Sequence, residues 1–148
     1  MKTIIVDLDH GLCDSRHREH LLQARDFEEY HLKAVDDGVL QDVSSAVQLL
    51  SQHYLVLGLT TRPIRHTMRT KSWLRRVCPG VDHVLMRPDT DYSPEPDIKK
   101  RLVIEAFDNS LPSALASVEF VLCSHDKLVE TWREAGFLCW QPRAGGMT

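Results

Sequence analysis

No pair of cysteines in this chain has metal or redox spacing. Cys13, Cys78, Cys123 and Cys139 form neither a CxxC nor a zinc-ligand pattern. Reduced thiols in a cytoplasmic protein are the plain expectation. The histidines make no HExxH arrangement either. Long apolar runs are missing too. The longest, Tyr54 to Leu59, is far too short to span a bilayer, so no membrane association is expected. The N-terminus runs straight into a strand pattern, with no signal peptide apparent. A strong charge of one sign is absent. The formal net charge of −3 argues against wholesale coating of nucleic acid while allowing a local basic patch. No internal repeat or low-complexity segment is visible.

What is present fits one compact domain over residues 1–148, of which 43% are hydrophobic. The chain is organised around Lys2 to Leu12. Thr3-Ile4-Ile5-Val6 is a β-branched apolar run, the composition of a strand buried on both faces. It ends in Asp7-Leu8-Asp9, with strand alternation placing both acids on one side. Two readings of the pair stand. They are turn or cap aspartates, common after strands, or they hold a cation and a phosphate-bearing substrate.

Further along, Asp26 reads as an N-cap with Glu29 three residues on. The helix behind it turns Phe27, Tyr30, His31 and Ala34 inward and stops at Gly38. A second helix carries Val43, Ala46, Val47 and Leu50. Tyr54–Leu59 is the next strand, ending in Thr60-Thr61-Arg62-Pro63. The helix that follows carries Ile64, Met68, Trp73, Leu74 and Val77. Asp82–Met86 is a third strand, 97–108 a helix, Val118–Leu122 a fourth strand, His125–Ala135 a helix and Phe137–Trp140 a fifth strand. Residues 10–53 form a helical insert that acts as a minimal lid, and 143–148 a flexible tail.

Strands alternate with helices, so the expected fold is α/β, a central parallel sheet with helices on both faces. Ligands of such folds bind beyond the carboxyl ends of the strands. Asp7, Asp9, Thr60, Arg62, Arg87, Ser124 and Asp126 all fall there. Arg87 either contacts substrate or pairs with the aspartates of its own loop. Carboxylates, a hydroxyl and cations at one sheet edge suit phosphate chemistry. One carboxylate attacks phosphorus, and a second protonates the leaving oxygen. Mg²⁺ takes oxygen ligands and neutralises the approach of two anions.

The pair Asp7 and Asp9, with Thr60 after a hydrophobic strand and Lys99, resembles the haloacid dehalogenase (HAD) phosphohydrolases. Four segments extend the resemblance to the phosphatase domain of polynucleotide kinase–phosphatase and its small phage and bacterial relatives. They are CDSRHREHLL at 13–22, LGLTTRP at 57–63, VLMRPDTDYSPEPDIKKRLV at 84–103 and LVETWREAGFLCWQ at 128–141. The resemblance implies a Rossmann-like HAD fold and Mg²⁺-dependent hydrolysis of a phosphomonoester through an Asp7 aspartyl-phosphate. Asp9 would be general acid and base, Thr60 a phosphoryl ligand and Lys99, with Lys100 as the alternative, the motif lysine, with Glu95 as the acid partner of Lys99. Arg18 and Arg62 match arginines that engage the substrate phosphate. Asp7, Asp9 and Asp126 form the expected metal set. The implied partner is a phosphorylated nucleotide or a nucleic-acid end carrying a 3′-phosphate.

Two departures stand out. His10-Gly11 replaces the family's Gly-Thr, and Cys123-Ser124 stands where relatives have two adjacent aspartates. A degenerate protein that binds a phosphorylated ligand or a protein partner without turnover is therefore an alternative, as is a small-molecule phosphatase. No GxxxxGK[ST] occurs, so the kinase half of the bifunctional relatives is absent from this sequence.

Overall fold

A computed structural model describes residues 1–144. The chain opens with β1 (Thr3–Asp7), fully buried along its length. A five-residue turn, Leu8–Leu12, leads to β2 (Cys13–Asp14) and a 3₁₀ turn at Arg16–Arg18. Helices α1 (Glu19–Gln23) and α2 (Phe27–Leu32), then β3 (Gly38–Val39), complete the insert. Next come α3 (Gln41–Leu50), β4 (Leu55–Pro63), α4 (Thr67–Val77) and β5 (His83–Arg87). The last elements are α5 (Glu95–Ala106), α6 (Leu111–Ser117), β6 (Val118–Leu122), α7 (Asp126–Glu134) and β7 (Cys139–Trp140).

The main sheet has the order β5-β4-β1-β6-β7, with every pairing parallel. β1 is central because its apolar side chains serve both faces. Ile5 packs with Ile98, Val103 and Trp132 from α5 and α7, whereas Ile4 and Val6 pack with Val43, Val47 and Trp73 from α3 and α4. This alternation satisfies two cores at once. No described helix is long and apolar enough to cross a membrane.

The structure differs from the sequence reading in places. The expected helix from Asp26 to Gly38 breaks after Leu32 into a 3₁₀ turn, Lys33–Asp36, and Gly38 enters a two-stranded ribbon of β2 and β3. β4 continues beyond Leu59 to Pro63. Helix α6 had no counterpart in the sequence reading, although Ser110 caps it and Pro112 sits in its first turn. Trp73 and Trp132 are core residues, but Phe27, Ile64 and Met68 are exposed. Met68 lies five positions before Trp73, about 140° around the helix, so one apolar face cannot hold both. Residues 145–148 of the expected tail lie outside the described residues. Arg143 is anchored to Asp42 by a bidentate pair of 2.8 Å bonds.

Candidate active site

β1 delivers Asp7 to the carboxyl edge of the sheet, and Leu8–Leu12 then closes one wide turn, a form frequent at functional sites. Gly11 permits it. A side chain there would meet Leu122 Cδ2 at 2.9 Å. Asp9 therefore leaves the strand, and its carboxylate faces a different set of partners from that of Asp7.

Asp7 is fully buried. The His10 amide donates to its Oδ1 at 2.9 Å, and Lys99 Nζ donates to its Oδ2 at 2.7 Å. The Cys123 thiol points at the same Oδ2 from 3.7 Å. Burial, then the nearby Asp7 charge, pushes the Cys123 thiol well up, so it stays neutral. Lys99 also meets Glu95 at 3.2 Å, as the resemblance expected, and His10 Nε2 lies 3.3 Å from that carboxylate. Burial works against the Lys99 charge, but Asp7 and Glu95 override it and raise its pKa.

Asp9 sits in a second, denser network. Thr60 Oγ1 donates to its Oδ2 at 2.5 Å. Its Oδ1 accepts from Arg18 Nη2 at 2.8 Å and from Arg62 Nε and Nη2 at 3.1 and 3.0 Å. Arg18 also grips Asp37, Nε to Oδ1 at 2.8 Å and Nη2 to Oδ2 at 2.7 Å. Burial raises the Asp9 pKa, but Arg62 and Arg18 more than reverse this and hold it well below the usual carboxylate range. Two buried anions and two buried arginines thus neutralise one another. Asp37 escaped the sequence reading because Asp36-Asp37-Gly38 has the composition of a solvated turn. Its burial follows from the arginines that meet there and from its carbonyl, which accepts from Trp73 Nε1 at 3.0 Å.

Above these networks lies an open cleft of about 630 Å³, lined by Asp9 and His10 on its floor. Arg87 lines it as well, but bonds to the backbone carbonyls of Asp91 and Ser93 rather than to carboxylates. Arg18 and Arg62, matched by resemblance to phosphate contacts, are buried against Asp9 and Asp37. Asp126 is exposed at the start of α7 and accepts from Gln141 Nε2 at 2.6 Å. Ser124 Oγ accepts the Arg143 amide at 3.1 Å.

These donors do not fit a resident hard divalent ion. Asp7 is the one carboxylate at this point, a neutral thiol stands beside it, the Ser124 hydroxyl accepts the Arg143 amide and Asp126 is turned to Gln141. Mg²⁺ demands oxygen ligands in near-octahedral array, and a thiol is a soft substitute. Among the described residues one acidic and thiol cluster has metal-like spacing, Asp9, Cys13 and Asp37. The Arg18 and Arg62 guanidinium groups already neutralise it.

A parallel sheet with an aspartate at the end of its central strand, a threonine on the next strand just beyond its pairing with that aspartate and a buried lysine on the neighbouring helix defines the HAD-type α/β class. Within that class the chain belongs to the family of the polynucleotide kinase PNKP phosphatase domain, which matches residues 1–146. It is similar to a chain in the structure of the Pnkp1/Rnl/Hen1 complex, at 26% identity and a TM-score of 0.78 over 97% of this chain and 46% of that one. A chain in the Pnkp1/Rnl/Hen1 RNA repair complex is 25% identical, with a TM-score of 0.79 over 98% and 43% of the two chains. This chain thus spans less than half the length of either. A haloacid dehalogenase-like hydrolase from Streptococcus pneumoniae shares the fold, at 15% identity and a TM-score of 0.65, over 95% of this chain and 84% of that one. No curated protein matches.

Proposed function

We propose that this chain is a phosphomonoesterase acting on a nucleotide or nucleic-acid 3′-phosphate, with Asp7 as nucleophile. The observation that carries this reading is the Asp7 carboxylate, fixed at the end of β1 by the His10 amide and Lys99. A carboxylate held this way attacks phosphorus, the ester oxygen leaves with a proton, and water then cleaves the aspartyl-phosphate. Lys99 offsets charge on the transferring group. Thr60 binds the phosphoryl oxygens, and Asp9, which lines the cleft, serves as acid and base, held in place by Arg18 and Arg62. Arg87 lines the cleft on the substrate side. Residues 10–53 serve as a minimal lid over that cleft.

The Mg²⁺ implied by the family enters this reading only as an ion brought with the substrate, whose phosphate oxygens supply donors that the chain lacks. The matched Pnkp1 complexes, one of them described as an RNA repair complex, support a nucleic-acid end over a small metabolite. A cytoplasmic setting is supported by four cysteines that form no disulfide.

A second reading, binding of a phosphorylated end without turnover, is favoured by one feature, Cys123-Ser124 beside Asp7. Phosphate release from a 3′-phosphorylated oligonucleotide and from p-nitrophenyl phosphate separates the two. Release by the wild type that disappears in Asp7→Asn supports hydrolysis. Oligonucleotide binding without release supports the second reading.

A further inference from the structure

The reading above uses the backbone amide of His10 and leaves its side chain without a task. Yet the whole residue is tightly placed. Its amide donates to Asp7 Oδ1 at 2.9 Å, and its carbonyl accepts from the Ser124 amide at 2.6 Å. Its ring packs on that of His125, with centroids 4.9 Å apart and planes tilted by 60°. So held, the ring reaches α5, where Nε2 lies 3.3 Å from Glu95 Oε2. The turn after β1 is thereby tied to a helix that lies far along the chain.

Glu95 Oε2 has a second partner. Lys99, one helical turn on, approaches it at 3.2 Å, while the same Nζ lies 2.7 Å from Asp7 Oδ2. One ammonium group therefore serves two carboxylates. Its place between them sets how much positive charge reaches Asp7, because the attraction falls with separation. Any other donor that satisfies Glu95 loosens its hold on Lys99. His10 is such a donor. A carboxylate only accepts, so the imidazole Nε2 donates to it. The distances agree, since Lys99 sits closer to Asp7 than to Glu95.

We infer that His10 is a positioning residue, whose ring holds Glu95 and so keeps the Lys99 ammonium group on Asp7. The inference deepens the phosphomonoester reading and rests on it for the effect on rate. A cation fixed beside the nucleophile meets the charge that develops as phosphorus bonds to Asp7. Losing its position slows the chemical step more than it weakens substrate binding. Second partners of this kind lock the rotamers of the groups that touch substrate.

The test is a double-mutant cycle read by hydrolysis of p-nitrophenyl phosphate, with the nitrogen NMR resonance of the Lys99 ammonium group as a readout that needs no activity. His10→Ala keeps the amide and removes the side-chain donor. It should lower kcat about tenfold or more, the worth of one hydrogen bond to a charged group. KM should change little, and the Lys99 signal should move. His10→Gln returns a side-chain N–H and should recover both. His53→Ala, at an exposed histidine outside the cleft lining, should change neither. In a Glu95→Ala background, His10→Ala should add nothing. An unmoved Lys99 signal in His10→Ala overturns the inference. So does a loss of kcat that persists undiminished in the Glu95→Ala background, because the ring would then act directly. If the wild type releases no phosphate, the phosphomonoester reading fails, and the Lys99 signal alone upholds or overturns the role of His10.

Discussion

Asp7 and Asp9 are separated by one residue, yet they occupy opposite electrostatic situations. Asp7 has one cation, Lys99, together with an amide and a neutral thiol. Asp9 has two arginines and a hydroxyl, backed by Asp37. The Asp9 network is closed, with its charges matched and every named group bonded. The Asp7 network is not, because its one cation, Lys99, is shared with Glu95, so two carboxylates face one ammonium group. Spacing along the chain does not set these roles. The turn at Leu8–Leu12 does, by sending the second carboxylate into the insert.

The largest effect that would break this contrast is on stability. Arg18→Met should cost about 3–5 kcal/mol in urea unfolding, because it leaves Asp9 and Asp37 buried with one arginine between them. Arg16→Met, which removes an exposed pair with Asp14, should leave stability nearly unchanged. Equal costs would mean that the buried network is not a closed unit.

The two thiols sharpen the comparison. Cys123→Asp places a second carboxylate beside Asp7 and should tighten Mn²⁺ binding roughly tenfold or more, read by electron paramagnetic resonance, since ligand charge sets affinity for hard ions. Cys13→Asp adds a third anion to the Asp9 cluster and should lower stability without creating a metal site. Tight Mn²⁺ binding by the wild type would contradict the donor assignment at Asp7.

A smaller effect appears with pH. His31 lies near the Asp9 network, and burial, the largest influence, lowers its pKa to about 4, with Asp9 opposing and Arg18 and His66 reinforcing the shift. Its folded pKa is below the unfolded value of 6.5. The unfolded chain therefore takes up a proton that the folded chain refuses, and stability declines as pH falls from 6.5 towards about 4. His31→Gln should flatten that part of a urea-midpoint profile. Below it, the depressed Asp9 pKa adds a further loss as that carboxylate is finally protonated.

The sheet was legible because its strands are short apolar runs punctuated by polar residues. Asp7 and Thr60 could be placed near one edge because parallel topology brings strand ends together, whereas Lys99, on helix α5, came from the family resemblance alone. The insert was less legible. Its helix breaks early, Phe27 lines the cleft, and Arg18 turns into the core through contacts with Asp37 and Tyr30 that no local periodicity encodes. The Arg87 side chain serves the backbone of its loop, a partner that composition does not reveal.

The most direct test of the central claim is intact-mass and peptide analysis of acid-quenched protein after brief incubation with a 3′-phosphorylated oligonucleotide. A nucleophilic Asp7 predicts one added phosphoryl group, confined to the peptide that contains Asp7 and missing from Asp7→Asn. Phosphate release from the wild type with the phosphoryl group carried elsewhere, or equally by Asp7→Asn, would contradict the account.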